Sequence, residues 1–408
     1  VPLNAIYFRL YANASTYGGT LTVSDVEVND QPVPTRILES DTVLALALPQ
    51  PLPPDNVAVI DMGFRTLVPR DSQVHYQIFN YEKGIGAFSN FYPTLAVYDQ
   101  QGWDIDPILT QGDSTYCAIS FYEVNLTAPS DTKLVTSGTQ IDHASNGDGT
   151  AMWRFVTGPI RDFGLAVSTA YEMAEQELGP IRVRSFYLPQ DQAGGKKLLE
   201  HARDALEAYQ QQLGPYPYNE FDVAEAPIGA GGMELPGMTL IQIDHYDRTD
   251  GYDEFVVAHE VAHQWWYNLV GNDQQEAPWI DEGLTNYCAV IYYEETYQQQ
   301  EGEQWLTWYL RDPYNRAVDA GLDKPAVLPV SAYDGVVYYR IVYAKAGLFY
   351  HALRQRLGDA QFFRLLGEYL EIYKYDRVTT DEVLDFWRQR ANQDISDLIE
   401  RWLLTPRS

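Results

Sequence analysis

His259-Glu260-Val261-Ala262-His263 is the stretch on which the reading of this chain turns. Phe255, Val256, Ala258, Val261, Ala262 and Trp266 recur around it at helical spacing, which predicts a buried helix over 253–269. On such a helix two His four residues apart stand one above the other on a single face. Their imidazole nitrogens can bind one zinc at about 2.0–2.1 Å, with Glu260 on the same side as a base. Two His leave a tetrahedron incomplete. Trp279-Ile-Asp-Glu282 places a carboxylate nineteen residues after His263, inside a second predicted helix over 279–297. One zinc per chain, held by His259, His263 and Glu282 with a fourth position open to water, is therefore expected. A bare H-E-x-x-H recurs in unrelated helices; the helical carboxylate at this distance makes the pattern specific.

Outward from this stretch the text changes character. Up to about residue 187 it consists of short alternating runs such as Thr20-Leu-Thr-Val-Ser-Asp-Val and Thr42-Val-Leu-Ala-Leu-Ala-Leu, broken by Pro-rich turns, which predicts an all-β domain over 1–187. From Leu198 the stripe Leu198, Ala202, Leu206, Tyr209 is helical. Strands are expected at 221–226 and 238–243, separated by the Gly-rich loop Gly229-Ala-Gly-Gly. Further helices are expected at 301–312, 336–356, 359–373, 380–391 and 394–404, so residues 188–408 form the domain that carries the chemistry.

Composition narrows the rest. The chain has 408 residues, 45% of them hydrophobic, which suits two or three domains rather than one. A net charge of −29 argues against a nucleic-acid partner, because phosphate contacts need clustered Lys and Arg. Cys117 and Cys288 are far apart in sequence and are expected as two buried free thiols. No run of about 18 apolar residues exists to span a membrane. The chain begins Val1-Pro2 with no initiator Met or signal peptide, which leaves the compartment and export open; nothing bears on oligomeric state.

H-E-x-x-H-x18-E, with Asn268 following in His263-Gln-Trp-Trp-Tyr-Asn, resembles the gluzincin zinc peptidases of the aminopeptidase N family. Gly231-Gly-Met-Glu234-Leu looks like the family's G-x-M-E-N exopeptidase motif. Val342-Tyr-Ala-Lys345 looks like its V-Y-E-K-G segment, and Asn90-Phe-Tyr-Pro-Thr-Leu-Ala-Val-Tyr-Asp resembles a Pro-containing segment of its β domain. The resemblance implies a saddle-like β domain packed on a thermolysin-like, mainly helical catalytic domain, with the C-terminal domains of larger members absent and the cleft more open. It departs from the family at Leu235, where Asn is usual, and at Ala346, which replaces Gly.

What the resemblance implies chemically is a zinc-dependent aminopeptidase acting on peptides with a free N-terminus. Glu260 would move the proton of the attacking water, and Tyr343 would donate to the oxyanion. Glu234 would bind the substrate α-amine, with Gly231 and Gly232 letting the backbone approach the peptide and Met233 and Tyr338 lining the pocket. A second carboxylate or amide from the β domain is usual in the family and is not identifiable here. An endopeptidase or specialised hydrolase of the same fold, or a non-catalytic peptide-binding relative, is the alternative.

Overall fold

The computed structural model of the chain describes residues 1–70, 76 and 78–407. Within the β half, strict alternation sets the pairing. In Thr150–Val156 the residues Ala151, Trp153 and Phe155 are buried while their neighbours are not, and the strand pairs antiparallel with Glu123–Pro129 on one side and Thr139–Ser145 on the other. Leu3–Arg9 lies between Val43–Leu52 and Thr94–Leu95, the latter within the Pro-containing segment. Thr20–Val28 pairs with Ile60–Leu67, and Leu165–Ser168 joins Lys133–Thr136 to the hairpin Phe79–Glu82/Ile85–Phe88. The first half is thus a set of small antiparallel sheets, as expected.

A five-stranded sheet follows, in the order 172–178, 181–187, 220–226, 238–242, 232–235. Its central strands, Ile181–Tyr187, Glu220–Ala226 and Met238–Gln242, run parallel and are covered on both faces. One face packs into the β half, where Ala224, Met233 and Leu240 join a cluster with Leu10, Leu44 and Phe79. Val223, Phe221 and Ile241 face the helices. Two expectations change here. The boundary at 187/188 falls inside this sheet, because Ile181–Tyr187 pairs with Glu220–Ala226; alternation identified the strand but not its partners. The Gly-rich loop expected at 229–232 gives way at Gly232 to an antiparallel edge strand, Gly232–Leu235, which carries Glu234.

Helix α1 (Gln192–Gln212) buries the predicted stripe Leu198, Ala202, Leu206 and Tyr209 against α2 (Tyr252–Ala262). The α2 helix ends seven residues before the expected 269. Tyr267 takes a left-handed backbone (φ 84°), and the Asn268 and Val270 N–H groups turn back to the His263 and Trp265 carbonyls at 3.1 Å each. Trp265 and Trp266 are fully buried outside the helix, so apolar spacing alone overran its end. Helix α3 (Trp279–Thr296) matches expectation and packs on α2. Beyond it, helical backbone runs over 299–319 and 335–357, each interrupted by wide-turned π segments at Leu306–Arg311 and Tyr339–Lys345. The first run exceeds the expected 301–312 because Pro313 falls in the first turn of its last part, where a missing N–H is tolerated. Helices Asp359–Tyr373 and Thr380–Arg390, and a last turn from Ser396 to Leu404, complete the chain.

Both departures from the family pattern have local partners. Ala346 sits over Gly283 of α3, where an added Cβ would come within 2.6 Å of the Ala346 Cβ. Leu235 fills the space above Gly164, and Gln264 clamps its turn, donating to the Leu235 carbonyl at 3.0 Å and accepting from the Gly237 N–H at 2.8 Å. Cys117 and Cys288 are buried and free. Among the described residues, no helix is long and apolar enough to cross a membrane.

Candidate active site

Helix α2 presents His259 and His263, and α3 crosses beside it with Glu282. The two Nε2 atoms lie 3.2 Å apart, and Glu282 Oε2 is 3.3 Å from the first and 3.5 Å from the second. Ligand atoms of a tetrahedral ion with bonds of 2.0–2.1 Å are spaced about 3.3–3.4 Å apart, so the triangle has the size of one tetrahedral face. His263 Nδ1 lies 3.0 Å from the Trp266 carbonyl; donation there leaves the Nε2 lone pair facing the triangle. Glu282 Oε1 accepts the Tyr343 hydroxyl at 2.6 Å, whereas buried Oε2 has no hydrogen-bond partner among the described residues. A buried carboxylate oxygen aimed at two imidazole nitrogens without a donor fits a cation. Among the described residues this is the one group of three such ligands.

Glu260 is the next residue of α2 and lines the same cavity as the two His. Its carboxylate rests directly over Gly232, where an added Cβ would fall 2.2 Å from Oε1. Gly232 is thus required by Glu260 itself. Burial, then the charge of Glu234, pushes the Glu260 carboxyl well above its usual range. Tyr343 stacks on the His259 ring at 5.9 Å, and burial followed by the Glu282 charge raises its phenol well above 10, keeping it a donor. Lys345, two residues on, is fully buried with its ammonium donating to Asp323 Oδ1 (2.8 Å) and to the Lys324 and Thr405 carbonyls (2.7 and 2.9 Å); it ties the Tyr343 segment to the end of the chain.

These residues line a cavity of about 230 Å³ between the two halves, together with Met233, Glu234, Tyr338, Tyr252 and Phe255 from the second half and Thr16, Tyr17, Ile78 and 112–115 from the first. Tyr338 meets Tyr343 edge-on at 5.7 Å, its hydroxyl buried above Gly112. Gly231 behaves differently: its N–H and carbonyl both bond Gln242, at 3.2 and 2.8 Å, and its φ of 88° makes the turn into the edge strand. Every charged side chain on the described lining is a carboxylate: Asp113, Glu234, Glu260 and Glu282.

Asp113 is the member that sequence reading missed. It comes from the β half, and burial, then the charges of Glu234 and Glu282, raises its carboxyl well above the usual range. Its stretch, Gln111-Gly-Asp-Ser-Thr115, has the composition of an ordinary turn, and only the tertiary fold brings it to the cavity.

Fold and donor set together define a class: a two-part H-E-x-x-H protein whose third candidate ligand comes from the following helix. The chain belongs to peptidase family M1, whose domain model matches residues 198–402. It is 27% identical over 312 residues to Aminopeptidase 2, mitochondrial, of Saccharomyces cerevisiae, covering 69% of this chain and 32% of that one. It is 28% identical over 242 residues to the Alanine/arginine aminopeptidase of the same yeast, covering 54% and 27%. The chain thus spans about a third or less of these relatives' length. The crystal structure of an M1 zinc metallopeptidase from Deinococcus radiodurans superposes with a TM-score of 0.74 at 20% identity, covering 100% of this chain and 87% of that chain, which establishes the shared fold.

Proposed function

We propose that the protein is a zinc-dependent aminopeptidase that removes single residues from peptides with a free N-terminus. The observation that carries this reading is the pairing of a tetrahedron-sized triangle of His259, His263 and Glu282 with an anionic cavity wall formed by Glu234 and Asp113. Zinc bound by the triangle would supply Lewis-acid polarisation of the scissile carbonyl and a more acidic water. Glu260 takes the water proton and returns it to the leaving amine. Tyr343, whose hydroxyl otherwise rests on Glu282 Oε1, donates to the oxygen on which charge develops. Glu234 and Asp113 hold the substrate ammonium, while Met233 and Tyr338 wall the first side chain. Gly232 makes room for Glu260, and Gly231 shapes the turn before it. An ammonium fixed beside the metal leaves reach for the first peptide bond alone. The names of the relatives, aminopeptidases in both cases, support this substrate class. We place the functional division of the chain near 171/172 rather than 187/188, since the hairpin 172–187 belongs to the sheet that bears Glu234.

The test is cleavage of one peptide, free or N-acetylated, followed by mass spectrometry with and without a zinc chelator. Stepwise loss of residues from the free peptide alone, abolished by chelation, is expected. Internal cleavage of both forms would overturn the aminopeptidase reading while keeping the metal chemistry. Tyr343→Phe removes one donor to the developing oxyanion and is expected to lower kcat about 10²-fold with little change in KM. An unaltered kcat would remove Tyr343 from the reaction.

A further inference from the structure

Gln274 lies in Asn272-Asp-Gln-Gln-Glu, a run whose composition reads as solvated loop, yet its side chain is 1% exposed and fully bonded. Its Nε2 donates to Glu234 Oε1 and to Asp281 Oδ2, both at 3.1 Å. Its Oε1 accepts the Thr115 hydroxyl at 2.7 Å. The amide can adopt only this orientation, since turning it over would aim its oxygen at two carboxylates. Thr115 is in turn 3.0 Å from the Tyr267 hydroxyl; with the Thr115 proton committed to Gln274, the tyrosine is the donor. The chain therefore runs Tyr267, Thr115, Gln274, then Glu234 and Asp281, each donor polarising the next. Its second end is pinned as well, because Asn272 donates to Asp281 Oδ1 at 2.9 Å. Tyr267 reaches Thr115 from a left-handed backbone in the turn that follows α2.

We infer that Gln274 is the positioning residue of the ammonium site: one amide fixes the Glu234 carboxylate on the edge strand and, through Thr115, the β-half segment that carries Asp113 two residues away. This rests on the reading of Glu234 as the amine anchor. Gln274 touches no substrate. It holds Glu234 Oε1 where Glu234 lines the cavity, and it sets the spacing between carboxylates contributed by the two halves of the protein.

The experiment compares two zinc-directed inhibitors, leucine hydroxamate and its des-amino counterpart, on the zinc-loaded enzyme and on Gln274→Met, Thr115→Val and Glu234→Ala. Methionine matches glutamine in length but offers no amide. In Gln274→Met the amine-bearing inhibitor is expected to weaken about 10- to 30-fold and the des-amino compound to bind as before, with KM for free peptides rising more than kcat falls. Thr115→Val is expected to move the same ratio in the same direction, and it reads the network should the first variant fold poorly. An unchanged ratio in both variants, or equal weakening of both inhibitors, would overturn the positioning role. Glu234→Ala separates the two readings. If it leaves the ratio unaltered, the amine-anchor reading fails and takes this inference with it; if it lowers the ratio while Gln274→Met and Thr115→Val do not, this inference alone fails.

Discussion

Glu260→Gln is expected to lower turnover of a free peptide by on the order of 10³-fold while leaving zinc bound at the wild-type level. Gln has the size of Glu, and Glu260 is not one of the three donors, so the triangle of His259, His263 and Glu282 persists. Stability should be kept or raised, because a buried carboxylate facing Glu234 becomes a neutral amide. An amide cannot accept the water proton, so the loss falls on kcat and, to the same extent, on kcat/KM. Metal content by mass spectrometry beside steady-state kinetics on one peptide decides the matter. Near-normal turnover with full zinc would remove Glu260 from proton transfer. Lost zinc would assign it instead to holding the site together.

How far such a site can be read in sequence depends on whether its geometry is local. His259 and His263 are legible because a helix fixes the relation of i to i+4, and Glu282 because a short connection limits where the next helix can lie. Asp113 and Gln274 are not, since each sits in a polar turn-like run, and only tertiary packing brings Asp113 to the cavity and Gln274 between Glu234 and Thr115. The hairpin 172–187 shows the same limit in the fold. Its alternation identifies strands, but the parallel partner Glu220–Ala226 lies beyond the whole of α1 in sequence. At the end of α2 periodicity misleads outright, because Trp265 and Trp266 are core residues whether or not the backbone stays helical. The turn that follows that helix, at Tyr267 and Leu269, is held by a contact from the other half of the protein.

That contact is Arg161, and Arg161→Met is expected to destabilise the protein by on the order of 4 kcal/mol. The guanidinium is buried and, among the described residues, has no carboxylate partner. It donates to the Tyr267 carbonyl at 2.6 Å, the Cys117 carbonyl at 3.1 Å, the Leu269 carbonyl at 3.2 Å and the Asp376 carbonyl. Gly271 packs flat on it, leaving no room for a Cβ, which would lie 2.3 Å from Cζ. After the substitution, the Leu269 and Asp376 carbonyls keep their backbone donors, Tyr375 and Gly271. Those of Tyr267 and Cys117 have no other donor among the described residues, and each bare buried acceptor costs about 1–3 kcal/mol. Relief of the buried charge offsets part of this, since burial already pushes the Arg161 pKa down. Arg161→Lys should fall between, because a single ammonium cannot span four carbonyls set around a planar fork. Activity should fall further than stability alone requires. Once the Tyr267 carbonyl is released, its left-handed backbone can relax and withdraw the hydroxyl from Thr115. A urea titration of the zinc-loaded protein reads the first effect and KM for a free peptide the second. A Met variant within about 0.5 kcal/mol of wild type would mean that the junction is held by apolar packing, with the arginine incidental to it.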